Sequence, residues 1–358
     1  MNKSGPEQTE INALNPGDPV SQVCILRKIE LKTKRNGDPY LFLELGDASG
    51  RIQATVWDNA AEIHNLLKAG DIVRISGKAM TYNQALRISV DHIHPVTEAD
   101  GVSREQFLPA TQADMQKLTA DLKKTIASLK NGDLKTLAEA VFGDRQWLDL
   151  FLKAPGGKLW HHACIGGLLE HTMSVVRICE TMAGLYPSVN RDLLIIGALL
   201  HDIGKIEEYR YDQGYIDYSD EGRLLGHISI GAQRIRSIIE QIEIKQGFPG
   251  ELKHLVLHLI LSHQGKLEHG SPVLPATLEA MILYYADEMD AKANGLRHIL
   301  MQDKAPDQHW SRYIQILDRF IYLGAEGDSD TPEQTGKSPG TDRDDAASRD
   351  RTQPSLFD

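Results

Sequence analysis

Cysteine is scarce: three occur in 358 residues, at positions 24, 164 and 179. They are odd in number and show no paired spacing. A disulfide scaffold and a thiolate metal cluster are therefore excluded, and a reducing cytoplasm is the expected location. Long apolar runs are missing too. The longest, Leu193–Leu200 (LLIIGALL), falls far short of the roughly 20 residues that span a bilayer. The opening stretch MNKSGPEQTEINALNPGD is polar and has no apolar signal core, so no membrane contact is expected. There is no internal repeat. Nor is there an excess of positive charge: 39 Lys and Arg face 50 Asp and Glu, for a net charge of −11. Taken whole, that balance argues weakly against a nucleic-acid partner.

The acid is unevenly placed. Residues 18–98 carry ten basic and ten acidic side chains, whereas 326–358 carry nine acidic and four basic ones and almost nothing apolar. The second stretch cannot bury enough surface to offset its chain entropy, so a disordered acidic tail is expected over 326–358. The remainder, at 41% hydrophobic and 25% charged overall, is ordinary globular material with length for two domains.

Residues 18–98 read as strands. VCILRKIELKTK leads through Asn36-Gly37-Asp38 to YLFLELGD, and Ala48-Ser49-Gly50 turns the chain into RIQATVW. A short helix at 59–68 precedes DIVRISGKAMTY and ALRISVDHIHPV. Three strands, a helix and two more strands is the order of a five-stranded Greek-key barrel of the OB type. Residues 1–17 form an extension before it and 99–111 a linker after it. From 112 to 325 the period becomes helical, beginning with Met115, Leu118, Leu122, Ile126 and Leu129. Apolar-periodic stretches follow at 134–152, 161–185, 191–203, 227–246, 250–262, 275–301 and 307–323. The second domain is expected to be an all-α bundle, so the chain as a whole is multidomain, with α and β parts segregated.

Nine of the 14 histidines lie between 161 and 269. His171 closes GGLLEH, His201-Asp202 closes GALLHDIGK, His227 follows RLLG, His263 follows LILS, and Asp287 follows MILYYA. Each ends an apolar helical stretch, where its side chain projects into the bundle. Unpartnered imidazoles and carboxylates are costly there, so the group is expected to share a ligand. Four histidines and two carboxylates suit one or two divalent transition ions such as Mn, Fe, Co or Zn. His161 and His162 stand just upstream, at the mouth of such a site. His254 and His258 are read as packing groups and His269 as a loop residue.

The series His171, His201-Asp202, His227, His263, Asp287 resembles the H…HD…H…H…D signature of the HD-domain phosphohydrolases. The blocks WHHACIGGLLEHT, GALLHDIGK, EGRLLGHISIG, LILSHQGKLEHGSP and YYADEMDAK, behind an OB-type barrel, make residues 18–325 similar to the YhaM-type 3′–5′ exoribonucleases. The resemblance implies a dinuclear centre, with manganese the expected metal. Asp202 would bridge two ions, His171, His201 and Asp287 completing one site, and His227 and His263 the other. Asp202, His201 and Lys205 would be catalytic, with Lys205, Arg223 and His162 taking substrate phosphate. A cyclic-dinucleotide phosphodiesterase would carry a Gly-Tyr-Pro stretch, where this chain has Gly265-Lys266-Leu267 and Gly270-Ser271-Pro272. A nucleotide phosphohydrolase would have no use for the barrel. The alternatives kept are a replication- or repair-associated nucleic-acid-binding protein whose helical domain is a scaffold, and an HD phosphodiesterase acting on (cyclic) nucleotides.

An OB barrel holds single strands by stacking bases on exposed aromatics while cations follow the backbone. Lys32, Lys34 and Arg35 crowd the first turn. Alternation turns Leu41, Leu43 and Leu45 inward, leaving Tyr40 and Phe42 outward, and it places Trp57 opposite Val56. Tyr82, Arg74, Lys78 and Arg87 complete the expected contacts. The expected partner is single-stranded RNA, with single-stranded DNA as a second substrate. The chain ends QPSLFD, and Gln353, Leu356 and Phe357 resemble peptides that dock into bacterial sliding clamps. Pro354 departs from the leucine usual there. An oligomer is allowed, but no residue specifies one.

Overall fold

The computed structural model describes residues 9–82, 85–97, 100–158, 160–302 and 309–324. They fall into two compact units divided after Ile299. The acidic stretch 326–358, including Gln353, Leu356 and Phe357, lies outside the described residues.

The barrel forms as its alternation requires. Strands β1 (Pro19–Thr33), β2 (Pro39–Gly46), β3 (Arg51–Val56), β4 (Ile72–Tyr82) and β5 (Ala85–Val96) close in the order β1-β2-β3-β5-β4, with helix α1 (Ala60–Leu66) between β3 and β4. Among these five strands the β3–β5 pairing is parallel and the others are antiparallel. Leu41, Leu43, Leu45, Ala54, Val56 and Ile88 fill the interior. Part of the expected N-terminal extension joins this core. Ile11 and Leu14 are buried in it, and the Ile11 N–H donates to Asp47 Oδ2 at 2.8 Å. The expected linker also packs, since Phe107 is buried with Val23, Ile25 and Ile72 of the barrel.

Helices α2 (Met115–Ala127), α3 (Gly132–Phe142), α4 (Arg145–Lys153), α5 (Gly167–Leu185), α6 (Arg191–Leu200), α7 (Lys205–Glu208), α8 (Asp220–Gln246), α9 (Gly250–Ser262) and α10 (Leu278–Gln302) make the bundle. The ten residues of α6 are apolar on nearly every side and run through its centre, with Leu193–Leu200 buried throughout. Among the described residues no helix is long and apolar enough to cross a membrane.

Three expectations need correction. The stretch 134–152 is two helices, because Gly143 ends α3 and the Asp144 carboxylate caps the next. The stretch 161–185 becomes helical only at Gly167, after a loop that carries His161 and His162. Within the helical bundle one short hairpin, β6 (Tyr209–Arg210) with β7 (Asp217–Tyr218), interrupts the helices. Residues 309–324, in the second unit, form no α-helix but two bridged extended arms around a 3-10 turn at Gln315–Leu317. Trp310 bridges Tyr322 and Ile314 bridges Arg319, around Asp318 at φ 52°. Aromatic and β-branched side chains favour such paired extended backbone, and Trp310–Tyr322 and Tyr313–Phe320 meet across it.

Candidate metal centre and nucleic-acid interface

The five blocks converge. His171 lies in the second turn of α5, His201 and Asp202 just past α6, His227 in α8, His263 just past α9, and Asp287 in α10. His171, His201 and His263 are fully buried. Asp202 stands between two groups. Its Oδ2 is 3.3 Å from His171 Nε2 and 3.4 Å from His201 Nε2, while its Oδ1 is 3.4 Å from His227 Nε2 and 3.6 Å from His263 Nε2. Asp287 Oδ1 joins the first group, 3.1 Å from His171 Nε2.

Two glycines permit this convergence. Gly226 interrupts α8 with φ 71° and ψ 151°, a conformation that favours glycine. It turns the next residue so that the His227 backbone N–H donates to Glu208 Oε1 at 3.0 Å. A Cβ on Gly204 would lie 2.0 Å from the His227 carbonyl oxygen, so only glycine lets α7 and α8 approach this closely.

Each of the four candidate histidines is tied at Nδ1. His171 Nδ1 is 2.7 Å from Asp290 Oδ2 and His227 Nδ1 is 3.0 Å from Glu208 Oε1. His201 and His263 meet the carbonyls of Ala198 and Ile260 at 2.9 and 2.7 Å. An N–H donated at Nδ1 leaves the Nε2 lone pair facing the cluster. His171 Nε2 and His201 Nε2 face each other at 3.1 Å, which requires a proton or a cation between them. Asp202 Oδ1 and His227 Nε2 are buried without a hydrogen-bond partner. Four converging lone pairs and an orphaned carboxylate oxygen fit divalent cations.

Burial opposes charge on Asp202, yet Lys205 and His201 hold its pKa well below the carboxylate range. Burial likewise opposes charge on His171, but hydrogen bonds to Asp202, Asp287 and Asp290 raise its pKa well above the usual value. His263 is lowered by burial, and burial with Lys205 and His171 nearby pushes His161 down to about 3.

Other residues chosen from sequence take different places. The Lys205 ammonium is buried and donates to Asp202 Oδ2 at 2.6 Å and to the Gly156 carbonyl at 2.7 Å. His162 is buried with φ 48°, its Nε2 2.9 Å from Asp290 Oδ2, so it faces a carboxylate rather than open space. Arg223 is exposed and donates to Asp217 Oδ1. Sequence reasoning missed Asp290 and Glu208. Asp290 was legible, since it lies one helical turn after Asp287 on the same face. Glu208 was not, because its role depends on the break at Gly226.

On the barrel, Tyr40 and Trp57 stack with centroids 5.2 Å apart. Lys34 lies over Trp57, Lys32 over Phe42 and Arg87 over Tyr82, at 5.3, 4.1 and 4.9 Å. Arg35 and Lys78 are exposed nearby in sequence. Arg74 lies near the start of β4, opposite His94 and Val23 rather than a Tyr, Phe or Trp.

Family models match at residues 168–292, the HD domain, and at residues 26–96, an OB-fold nucleic acid binding domain. The 3′-5′ exoribonuclease YhaM of Listeria monocytogenes serotype 4b is 32% identical over 308 residues, covering 86% of this chain and 95% of that protein. The chain belongs to the YhaM family. The YhaM of Bacillus subtilis is 31% identical over 306 residues, with the same two coverages. Both YhaM proteins align across barrel and bundle together, so the family likeness extends well beyond the metal signature.

Proposed function

We propose that this chain is a metal-dependent 3′–5′ exoribonuclease acting on single-stranded RNA, with single-stranded DNA as a second substrate. The observation that carries the metal reading is the division of the Asp202 carboxylate, one oxygen toward His171 and His201 and the other toward His227 and His263. That arrangement supports two ions, one held with Asp287 and one without, and the all-nitrogen-and-oxygen donor set suits manganese. Bound there, divalent ions supply activation of water and charge neutralisation on the phosphoryl oxygens.

The chain's own groups do the rest. Asp290 and Glu208 fix the tautomers and ring orientations of His171 and His227, and Lys205 holds Asp202 against Gly156. His161, neutral and with Nδ1 unpartnered, lies beside His171 and can donate or accept one hydrogen bond at the site. The barrel keeps the strand at raised local concentration between cuts, which suits stepwise removal of nucleotides. A scaffold role for the bundle is disfavoured, because a scaffold does not require four imidazoles tied in the ligand tautomer.

The deciding experiment is digestion of 5′-labelled single-stranded RNA, with matching DNA, in chelator and then in manganese. A manganese-dependent ladder shortening from the 3′ end is expected. No cleavage of either strand, with a gel shift retained, would overturn the proposal in favour of a binding protein.

Two variants check its parts. Trp57→Ala removes the outer half of the Tyr40 stack and should weaken oligonucleotide binding about tenfold, from roughly 1–3 kcal/mol per stacked base. Turnover of a dinucleotide should be unchanged, and unaltered affinity in a fluorescence-anisotropy titration would remove the barrel face from the binding path. Asp290→Asn should lower manganese affinity about 10–100-fold, the usual cost of losing a histidine's outer partner. Calorimetric titration measures this directly, and wild-type affinity would refute the orienting role.

A further inference from the structure

The hairpin β6–β7 connects the barrel to the metal centre. Toward its turn, Tyr215 packs against the barrel cluster of Val23, Ile25 and Ile72, and Arg27 lies over its ring at 5.2 Å. At its base, Tyr209 follows Glu208 directly and pairs in register with Tyr218. Ser219 then donates its N–H to the Glu208 carbonyl at 2.8 Å. At this base two cations crowd one oxygen. Lys158 Nζ and Arg223 Nη2 donate to the same Asp217 Oδ1, at 2.6 and 3.0 Å, and they lie 5.1 and 5.5 Å from the centre of the Tyr218 ring.

One carboxylate neutralises one cation, so this trio keeps a net positive charge. Partly exposed pairs of this kind add little to stability, and folding does not account for the second cation. Both cations come from chain segments that carry the metal centre. Lys158 is two residues from Gly156, whose carbonyl accepts from Lys205. Arg223 is four residues before His227, on the other side of the break at Gly226. Burial opposes charge on Asp217, but the hydrogen bond from Lys158 and the nearby Arg223 keep its pKa low. The two cations are thus held in place, with donors to spare, at the base of a hairpin that is tied through Glu208 to His227 and whose Tyr215 packs on the barrel.

The geometry points to a phosphate subsite formed by Lys158 and Arg223, positioned by Asp217 and Tyr218, that takes the phosphodiester next to the scissile one. A strand cut at its 3′ end has its body only on the 5′ side, so the phosphate held is the neighbour on that side. This rests on the reading of the metal centre as a phosphodiesterase. Lys158 and Arg223 are positioning residues, since the phosphate they hold does not react.

The test compares a diribonucleotide, which has only the scissile phosphodiester, with a triribonucleotide, which has one more. With the manganese-loaded full chain, kcat/KM should favour the triribonucleotide by about tenfold, the scale of a charge-assisted contact in a partly exposed place. Lys158→Gln and Arg223→Gln should each remove most of that preference, through a rise in KM for the longer substrate. Lys158→Arg should restore it. An unchanged preference in both Gln variants overturns the subsite, as does an equal loss on both substrates, which would mark a merely structural role. If wild type cuts the dinucleotide, the reading of the centre stands whatever the preference. If it cuts neither substrate, that reading fails and the subsite falls with it.

Discussion

Asp202→Asn should reduce RNA hydrolysis about 10⁴-fold, the scale seen when a central catalytic group is removed, while strand affinity stays within about twofold of wild type. The amide keeps the shape of the side chain but loses the charge that lies between the two histidine groups. It also presents an NH₂ to nitrogens already arranged as acceptors. At either site the metal would lose its shared anionic ligand, so bound manganese should fall with activity. The barrel is untouched, because its aromatic and cationic residues lie on β1, β2, β4 and β5 and just past β3. Metal analysis beside labelled-strand digestion and anisotropy separates these effects. Hydrolysis within tenfold of wild type would sink the bridging role, and loss of strand binding would sink the division of labour between barrel and bundle.

The order of barrel and helical bundle was legible in the sequence because alternation gives way to a helical period after the barrel. Alternation in YLFLELGD was enough to turn Leu41, Leu43 and Leu45 inward and to leave Tyr40 and Phe42 outward, as the structure has them. The convergence of the candidate residues was legible for a different reason. An ionisable residue at the end of an apolar helix has nowhere to go but the interior, and five such ends imply a shared centre. What escaped depends on contacts between segments distant in sequence. Glu208 reaches His227 only through the turn at Gly226, and the β6–β7 hairpin is too short for a periodic signal. His162 and Lys205 were placed on substrate phosphate because their nearness to the ligands was visible. Their partners, Asp290 and Gly156, were not. Residues 309–324 show the opposite failure, since a helical spacing of apolar residues masked aromatic and β-branched content that pairs as a hairpin.

Lys205→Met tests whether this lysine serves substrate or the centre itself. Its Nζ already spends two of three protons on Asp202 and Gly156, and the side chain is only 6% exposed. Removing one member of a buried pair leaves the other uncompensated, at about 3–5 kcal/mol. The metal-free variant should therefore melt well below wild type. Burial lowers the pKa of Lys205, but Asp202 more than offsets it, leaving the value above the ordinary lysine range. The stability this contributes is full below that range and lost only as pH rises through the shifted value. Asp202, with its pKa depressed, contributes above the ordinary carboxylate range and loses that contribution as pH falls through its own shifted value. The pair is intact between these limits, so the melting difference should be flat from about pH 5 to pH 9. Manganese should narrow it, because divalent ions supply Asp202 with the positive charge the lysine provided. Hydrolysis at saturating manganese should fall in kcat, with KM for RNA little changed. A rise in KM alone, with melting unaltered, would return Lys205 to the substrate phosphate and leave Asp202 to be held by the histidines.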